Sequence, residues 1–233
     1  WNYSNNDINI TGDLTATDYI SFQNMNYSGD GSDLSIGGNI SSTNSYAYFR
    51  NRGTNSDISV TGSTTSNTYT SFLTEAGGSS IDLGSVTSGT SMTIDAQGNS
   101  VNVTGNLNNN GGNTAYFRGR SGFNITGELD VTSSATKNFT MDVGNGNLMN
   151  SLANHDLTLN TLNIVARNNA PVTLPGNVTT TGNVDIDILG SNSAVNVNGN
   201  LASGGNVNIY SGGGSWNYSN NDINITGDLT ATD

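Results

Sequence analysis

The amino-acid sequence predicts an all-β protein folded as a parallel, right-handed β-solenoid of about nine coils, each of about 24 residues. Three features predict this fold: a short motif that recurs along the whole chain, short runs in which apolar and polar residues alternate, and bends rich in Gly and Asn between the runs. Alternation over such short runs is typical of half-buried β-strands. Because no segment has the periodicity of a helix, we expect strands alone.

The recurring motif is DINITGDL at residues 7–14. Related segments lie at 33–40, 57–64, 80–86, 100–107, 123–129, 171–178, 194–201 and 222–229, with a looser copy, DLTLNTLNI, at 156–164. One coil cannot bury its own apolar side, so stacked neighbours must complete the core. The residues predicted to stack in this core are Ile8, Ile10, Leu14, Leu34, Ile36, Ile58, Val60, Ile81, Leu83, Val101, Val103, Ile125, Val195, Val197, Ile223 and Ile225.

The bends between the strands are expected to use Gly and Asn because these residues tolerate a positive φ. Asn residues at equivalent positions of successive coils are also expected to form side-chain ladders along the stack. We align the looser copy at 156–164 with the first strand of the other coils, with Leu157 as the first apolar residue of that strand. The preceding stretch, GNGNLMNSLANHD at 144–156, breaks the rhythm and predicts a looped-out excursion or a local change of strand register.

The first eighteen residues of the chain, WNYSNNDINITGDLTATD, return without a change at 216–233. We interpret residues 1–215 as one tandem period of a β-solenoid and residues 216–233 as the first coil of the next period. Two alternatives remain open, an overlap between neighbouring units and one added capping coil.

The composition excludes several classes of function. The chain carries a formal net charge of −12 with only six basic residues, which is too few for a continuous basic surface that could bind nucleic acid. It contains no cysteine, so disulfides and thiolate metal sites are excluded. No segment is long and apolar enough to span a bilayer, so we expect no membrane insertion.

Candidate chemical sites are sparse. Asp185 and Asp187 could pair for acid–base catalysis, but no matching partners are expected in adjacent coils, so we predict no enzymatic activity. His155 is the only histidine, and it cannot build a histidine metal site or a triad. We therefore predict no cofactor. Calcium, through the acidic stretch at 30–33, is the one candidate ion.

Two arginine pairs stand out in the similar stretches YFRNRG and YFRGRS. The pairs are Arg50 with Arg52 and Arg118 with Arg120, and both follow the same strand of their coils. We expect them on one side of the solenoid, about three coils apart. There they could contact a neighbouring filament or an acidic glycan, or serve as exposed charges that limit strand-edge pairing.

The segments INITGDL, VNVTGNL, FNITGEL and VNVNGNL, with short alternating strands between them, resemble the right-handed β-helices of filamentous-haemagglutinin-type and autotransporter secreted proteins. The resemblance covers the whole chain as a pattern. It implies a secreted or surface-anchored bacterial fibre, often an adhesive one.

These observations predict a structural repeat unit of a giant extracellular filament or cell-surface fibre. Its main partner is expected to be another period of itself, stacked end to end along the solenoid axis, with neighbouring filaments or glycans as further partners. The alternative is an adhesin that binds a glycan or a surface receptor through Tyr46, Tyr48, Tyr116 and the arginines. A polysaccharide-degrading enzyme is the third hypothesis.

Overall fold

The structure is a computed structural model that describes residues 7–25, 31–132, 134–146, 156–212 and 220–232. Throughout these residues the chain forms short strands, all paired in parallel, and no helix. The strands wind into stacked coils around one continuous core. The predicted parallel β-solenoid is therefore confirmed.

The strands are short, and most coils contain three of them. In chain order they are β1 (Ile8–Ile10), β2 (Leu14–Ala16), β3 (Ile20–Asn24), β4 (Leu34–Ile36), β5 (Ile40–Ser42), β6 (Ala47–Asn51), β7 (Ile58–Val60), β8 (Thr64–Ser66), β9 (Tyr69–Thr74), β10 (Ile81–Leu83), β11 (Val86–Ser88), β12 (Ser91–Asp95), β13 (Ser100–Val103), β14 (Leu107–Asn109), β15 (Thr114–Gly119), β16 (Gly122–Ile125), β17 (Leu129–Val131), β18 (Asn138–Val143), β19 (Leu157–Leu159), β20 (Thr161–Ala166), β21 (Pro171–Leu174), β22 (Val178–Thr180), β23 (Val184–Ile188), β24 (Ala194–Val197), β25 (Leu201–Ser203), β26 (Val207–Ser211), β27 (Asp222–Ile225) and β28 (Leu229–Ala231).

The strands form three faces. The first face holds β1, β4, β7, β10, β13 and β16 in one sheet and β21, β24 and β27 in another. The second face holds β2, β5, β8, β11, β14 and β17, followed by a separate sheet of β19, β22, β25 and β28. The third face is a single nine-stranded sheet with one strand from each coil, running from β3 through β6, β9, β12, β15, β18, β20 and β23 to β26. We number coils one to nine by these third-face strands.

The coils stack in register although their lengths differ. Ile8 pairs with Leu34, and Leu34 pairs with Ile58, so equivalent apolar residues lie directly above one another. A coil spans 20 residues where Asn102 follows Asp82 and 28 residues where Asn224 follows Asn196. The bends between strands therefore absorb the differences in length.

The stacking is interrupted between coils six and seven, a place we call the seam. On the second face β17 and β19 do not pair with each other, and on the first face the described residues continue beyond β16 only as one bridge between Phe123 and Gly146. Of the three faces, only the third crosses the seam as a sheet in the described part of the chain, through the pairing of β18 with β20.

The alignment of DLTLNTLNI with the first strand of a coil is wrong. Leu157 pairs with Val178 on the second face, so β19 and β20 are the second and third strands of coil seven. The error arises because Asp156 lies at the bend before the second strand and not before the first. It accepts a hydrogen bond from the Asn177 N–H there, and Asp13 occupies the equivalent position in coil one. The irregularity predicted at 144–156 falls mostly on residues 147–155, which lie outside the described residues.

The core contains the inward-facing side chains of all three faces. Of the residues predicted to stack there, those in coils two to six and in coil nine are at most 4% exposed. Ile8, Ile10 and Leu14 in coil one, and Ile223 and Ile225 in the copied segment, are only partly buried or exposed, because the described residues cover each of them from one side alone.

Large aromatic rings also stack from coil to coil inside the third face. The centroid of Phe49 lies 5.9 Å from that of Phe22 and 4.8 Å from that of Phe72, with interplanar angles of 8° and 10°. Such apolar columns exclude water along the length of the solenoid.

The glycine of the TGD-like bends is needed for a different reason from the one the sequence suggests. Gly38, Gly62 and Gly84 do not have a positive φ. A Cβ atom on Gly84 would lie 2.3 Å from the carbonyl oxygen of Gly62, so the backbones of successive coils approach too closely for any side chain. A positive φ occurs instead at the bend between the third and first faces, where Asn55 and Asn192 adopt it.

Candidate functional site: contacts between stacked coils

The bend between the first and second faces carries a ladder of side-chain oxygen atoms, which we call the corner ladder. Asp13 Oδ1 accepts a hydrogen bond from the backbone N–H of Asn39 at 2.6 Å, and Asn39 Oδ1 accepts one from the backbone N–H of Ser63 at 2.9 Å. The pattern continues beyond the seam, where Asn177 Oδ1 accepts from the Asn200 N–H. At each of these rungs, a side chain of one coil satisfies a backbone donor of the coil that follows it.

A second ladder of the same kind precedes the first face. The carboxylate of Asp7 accepts from the backbone N–H of Asp33 at 3.0 Å, and that of Asp33 accepts from the N–H of Asp57 at 2.9 Å. Stacked carboxylates repel one another, but hydrogen bonds to ionised groups are among the stronger ones in proteins. The recurring Asp therefore stabilises coil stacking.

Side-chain amide ladders also occur, as the sequence predicts. Asn124 Nδ2 donates to Asn102 Oδ1 at 3.3 Å on the first face, and Asn224 Nδ2 donates to Asn196 Oδ1 at 3.0 Å. The sequence did not lead us to expect that the more extensive ladders use backbone N–H donors. Their signal in the sequence is the Asn, Asp or Ser that recurs directly after the bend glycine.

The arginine pairs lie on the third face, and carboxylates of adjacent coils hold them. Arg50 Nε donates to Glu75 at 2.5 Å, and Arg52 Nε lies 2.7 Å from the same carboxylate. Arg118 Nε donates to Asp95 at 2.6 Å, and Asp95 is nearly buried. The hydrogen bonding of Arg118 with Asp95 raises the pKa of Arg118 above its ordinary value.

Asp142, another nearly buried carboxylate, joins two arginines. Arg120 Nε donates to it at 2.6 Å from the end of coil five, and Arg167 Nη2 donates to it at 3.1 Å from coil seven. The pair with Arg167 is therefore an ion pair that crosses the seam.

All the arginines thus have a carboxylate partner within the chain. Arg50 and Arg118 do share one row of the third face, because the register runs from Arg50 through Leu73 and Asp95 to Arg118. A role for Arg50, Arg52, Arg118 and Arg120 in binding a neighbouring filament or a ligand stays a prediction, and any such contact must involve guanidinium groups that are already paired.

Lys137, the remaining basic residue, is fully buried in the bend before β18. Its Nζ donates hydrogen bonds to the backbone oxygen of Asn109, 3.0 Å away, and to Oδ1 of the same residue. Burial lowers the pKa of Lys137 to about 8, although the carboxylate of Asp130 acts in the opposite direction. The carbonyl oxygen of Lys137 accepts a hydrogen bond from the Asn160 N–H of coil seven at 2.7 Å.

Asn109 belongs to a buried polar row at the end of the second-face strands. In successive coils this row contains Ser42, Ser66, Ser88 and Asn109, in register with one another. The serine hydroxyls bond to residues in or next to the following bend, as when Ser88 Oγ donates to the carbonyl oxygen of Thr68 at 2.8 Å. The sequence reading missed this row, whose signal is a small polar residue two positions after the first apolar residue of the second strand.

Tyrosine rings form a cluster on the outer side of the third face in coils one to three. Tyr19 and Tyr46 stack with centroids 5.2 Å apart, and Tyr69 lies within 6.4 Å of both Tyr46 and Tyr48. Burial raises the pKa of Tyr69. Tyr116 lies two coils further along, with the Arg118 guanidinium 5.8 Å from its ring centroid. Cross-strand contacts of this kind stabilise the sheet.

Asp185 and Asp187 both lie on the outer side of β23, as predicted. In the adjacent coils Asp185 faces Asn163 and Asn208, and Asp187 faces Val165 and Tyr210. Partial burial, and then the charge of Asp185, raise the pKa of Asp187. The lack of enzymatic activity stays a prediction.

The remaining candidate sites are less well defined. His155 and Asp30 lie outside the described residues, and within the described ranges no three Asp, Glu or His side chains gather where they could hold a metal ion. The described part of the chain also has no helix long and apolar enough to cross a membrane.

The fold places this chain among the β-solenoid repeat proteins. Comparison with known protein families, with characterised proteins and with solved structures finds no match to this sequence or fold. Because the ladders and ion pairs described above join successive coils, the candidate functional site is the coil-to-coil interface itself.

Proposed function

We propose that this chain is a structural repeat unit of a giant extracellular filament or bacterial cell-surface fibre, which extends by stacking coil on coil. One observation carries the proposal. The coil-one sequence fits two different neighbours, because Ile8 pairs with Leu34 of coil two and its copy Ile223 pairs with Val195 of coil nine. On the second face, Leu14 pairs with Ile40 and its copy Leu229 pairs with Leu201.

The same segment can therefore join the last coil of one period to the second coil of the next. The corner ladder supports this continuity, since Asn200 Oδ1 accepts from the Asp228 N–H as Asp13 Oδ1 accepts from the Asn39 N–H. The location outside the cell rests on the resemblance to secreted β-helices.

The test is a protein with two consecutive copies of residues 1–215 followed by residues 216–233. If the periods stack, negative-stain microscopy will show a single straight rod, longer than the one-period rod by nine strand spacings, or about 43 Å. A matched control places a flexible Gly/Ser linker between the copies. If the direct fusion shows two bodies at variable angles, as the linker control should, the proposal is wrong. Denaturing electrophoresis of the native protein should show a chain far larger than 24.1 kDa.

A second candidate function, adhesion to a glycan, is favoured by the cluster of Tyr19, Tyr46, Tyr48 and Tyr69. Tyr19 is 58% exposed, and aromatic rings on a polar sheet can contact the apolar sides of sugars. Binding to a glycan array should then fall on Tyr46→Ala or Tyr48→Ala. Tyr210→Ala, which removes an exposed tyrosine from the same face in coil nine, should leave it unchanged. No binding by the native chain excludes this function for the glycans on the array.

A further inference from the structure

One lysine is a buried amine that has no buried carboxylate beside it among the residues that the structure describes. Lys137 is fully buried, and its Nζ contacts only oxygen atoms of Asn109 among the described residues. Burying an ammonium group without a counter-ion is costly. Asp130, the carboxylate that acts on it electrostatically, points outward from β17.

The neighbouring coils show that the fold does not require this pair. Ser42, Ser66 and Ser88 occupy the positions equivalent to Asn109, and each forms a hydrogen bond with a neutral polar group nearby. The Lys–Asn pair is thus a departure from the repeat.

We propose that Lys137 and Asn109 form an intramolecular isopeptide bond between Nζ and Cγ. In this step the neutral amine of Lys137 attacks the side-chain amide carbon of Asn109. The Nζ–Cγ bond forms and the Cγ–Nδ2 bond breaks. One proton passes from Nζ to Nδ2, which leaves as ammonia, and no oxidant, metal or cofactor is needed.

The local structure supports this reaction in two ways. The contact of Nζ with Asn109 Oδ1 holds the amine beside the amide carbon, and such placement is a large part of the rate of an intramolecular reaction. Burial also makes roughly a tenth of the amine neutral at pH 7 and most of it at pH 9, since its pKa is about 8.

The product removes the buried charge and ties coil five to coil six, the coil next to the seam. The bond closes a loop between residues 28 positions apart, so it restricts the unfolded chain. The backbone oxygen of residue 137 also accepts a hydrogen bond from the Asn160 N–H in coil seven. The crosslink therefore holds in place a residue that contacts coil seven. The bond forms within one chain, whether or not that chain extends into a filament.

The test is mass spectrometry of the intact, denatured chain. Folded protein incubated at pH 9 should lose the mass of one ammonia molecule, and the loss should proceed about tenfold faster than at pH 7. Trypsin should then fail to cleave after Lys137 and should release residues 53–118 joined to residues 121–167.

Two variants control for other losses of ammonia. Lys137→Met keeps an unbranched side chain of similar length without an amine, and Asn109→Ser restores the residue type of the neighbouring coils. Both should fold, keep the mass of their sequence and show a lower thermal midpoint than the crosslinked protein. Succinimide formation at Asn110–Gly111 loses the same mass, but it does not need Lys137 and joins no peptides. An unchanged mass with normal cleavage after Lys137 at pH 9, or an ammonia loss without the joined peptides 53–118 and 121–167, overturns the proposal.

Discussion

At the scale of single residues, the bend glycines show how closely the coils stack. The sequence suggested that glycine provides a positive φ, but Gly38, Gly62 and Gly84 instead leave room for the backbone of the preceding coil. A single sequence cannot separate these reasons, because both produce a recurring Gly. Only the register between coils distinguishes them.

Gly84→Ala should therefore destabilise the protein. Its Cβ would lie 2.3 Å from the carbonyl oxygen of Gly62 and 2.7 Å from that of Thr61, both of them backbone atoms. We expect a loss of about 1–3 kcal/mol in the free energy of unfolding, from urea titration. Gly98→Ala is the matched control, since no atom lies within 4 Å of its added Cβ. Equal losses for both variants would show that close approach is not the reason for glycine at this bend.

Asp187 provides a residue-scale prediction on pH. Partial burial and the charge of Asp185 raise its pKa in the folded protein above its unfolded value. The folded state then holds this proton at pH values where the unfolded state has lost it, so stability decreases as the pH rises through the unfolded pKa. Asp187→Asn should be more stable than the native chain at pH 7, by less than about 1 kcal/mol because the site is only partly buried and solvent screens the charges. Urea titrations should show the gain disappearing below about pH 4; a gain that persists at pH 3 would contradict this cause.

At the scale of elements, the positions of the strands can largely be predicted from the sequence. The contacts between neighbouring strands mostly cannot. Alternating pairs such as Ile58 and Val60 predict a strand directly, because the buried face repeats every second residue. The assignment of Leu157 to the first face was wrong, because short alternating strands of the first and second faces look alike. The partners of the arginines could not be predicted either, since Glu75 and Asp142 meet them only once the coil lengths are known.

The corner ladder can be tested at one rung. Asn39→Ala removes the acceptor for the backbone N–H of Ser63 and leaves that donor without its side-chain partner. We expect the unfolding free energy to fall by about 0.5–2 kcal/mol. Hydrogen exchange at the Ser63 amide should also become faster. Asn39→Ser should recover part of the loss, because Ser85 Oγ already accepts from the Asn106 N–H in the same ladder. If serine is no better than alanine, the rung does not contribute to stability.

At the scale of the whole molecule, the solenoid is not uniform along its axis. Because β17 and β19 do not pair with each other, the seam is the least connected joint in the described part of the chain. The sequence indicated a break near this place, and the structure shows that the third face and the ion pair between Asp142 and Arg167 continue across it.

The seam should respond to mutation more than other joints do. Asp142→Asn leaves Arg120 and Arg167 without their carboxylate partner, and amide exchange in β20 should become about tenfold faster, which corresponds to about 1.4 kcal/mol. Asp95→Asn is the matched control, because it removes the carboxylate of Arg118 where all three faces are continuous. Its effect on the adjacent strand β15 should be smaller. Equal effects would show that the seam is not a weaker joint.

The direction of the corner ladder has a consequence for any assembly of these coils. In every rung between Asp13 and Asp228, the acceptor belongs to the earlier coil and the backbone donor to the later one. A stack of such coils has a direction. Its corner ladder leaves free N–H groups towards one terminus and free side-chain oxygens towards the other. A fibre built in this way has two chemically different tips, so it can add or lose material at unequal rates at its two ends.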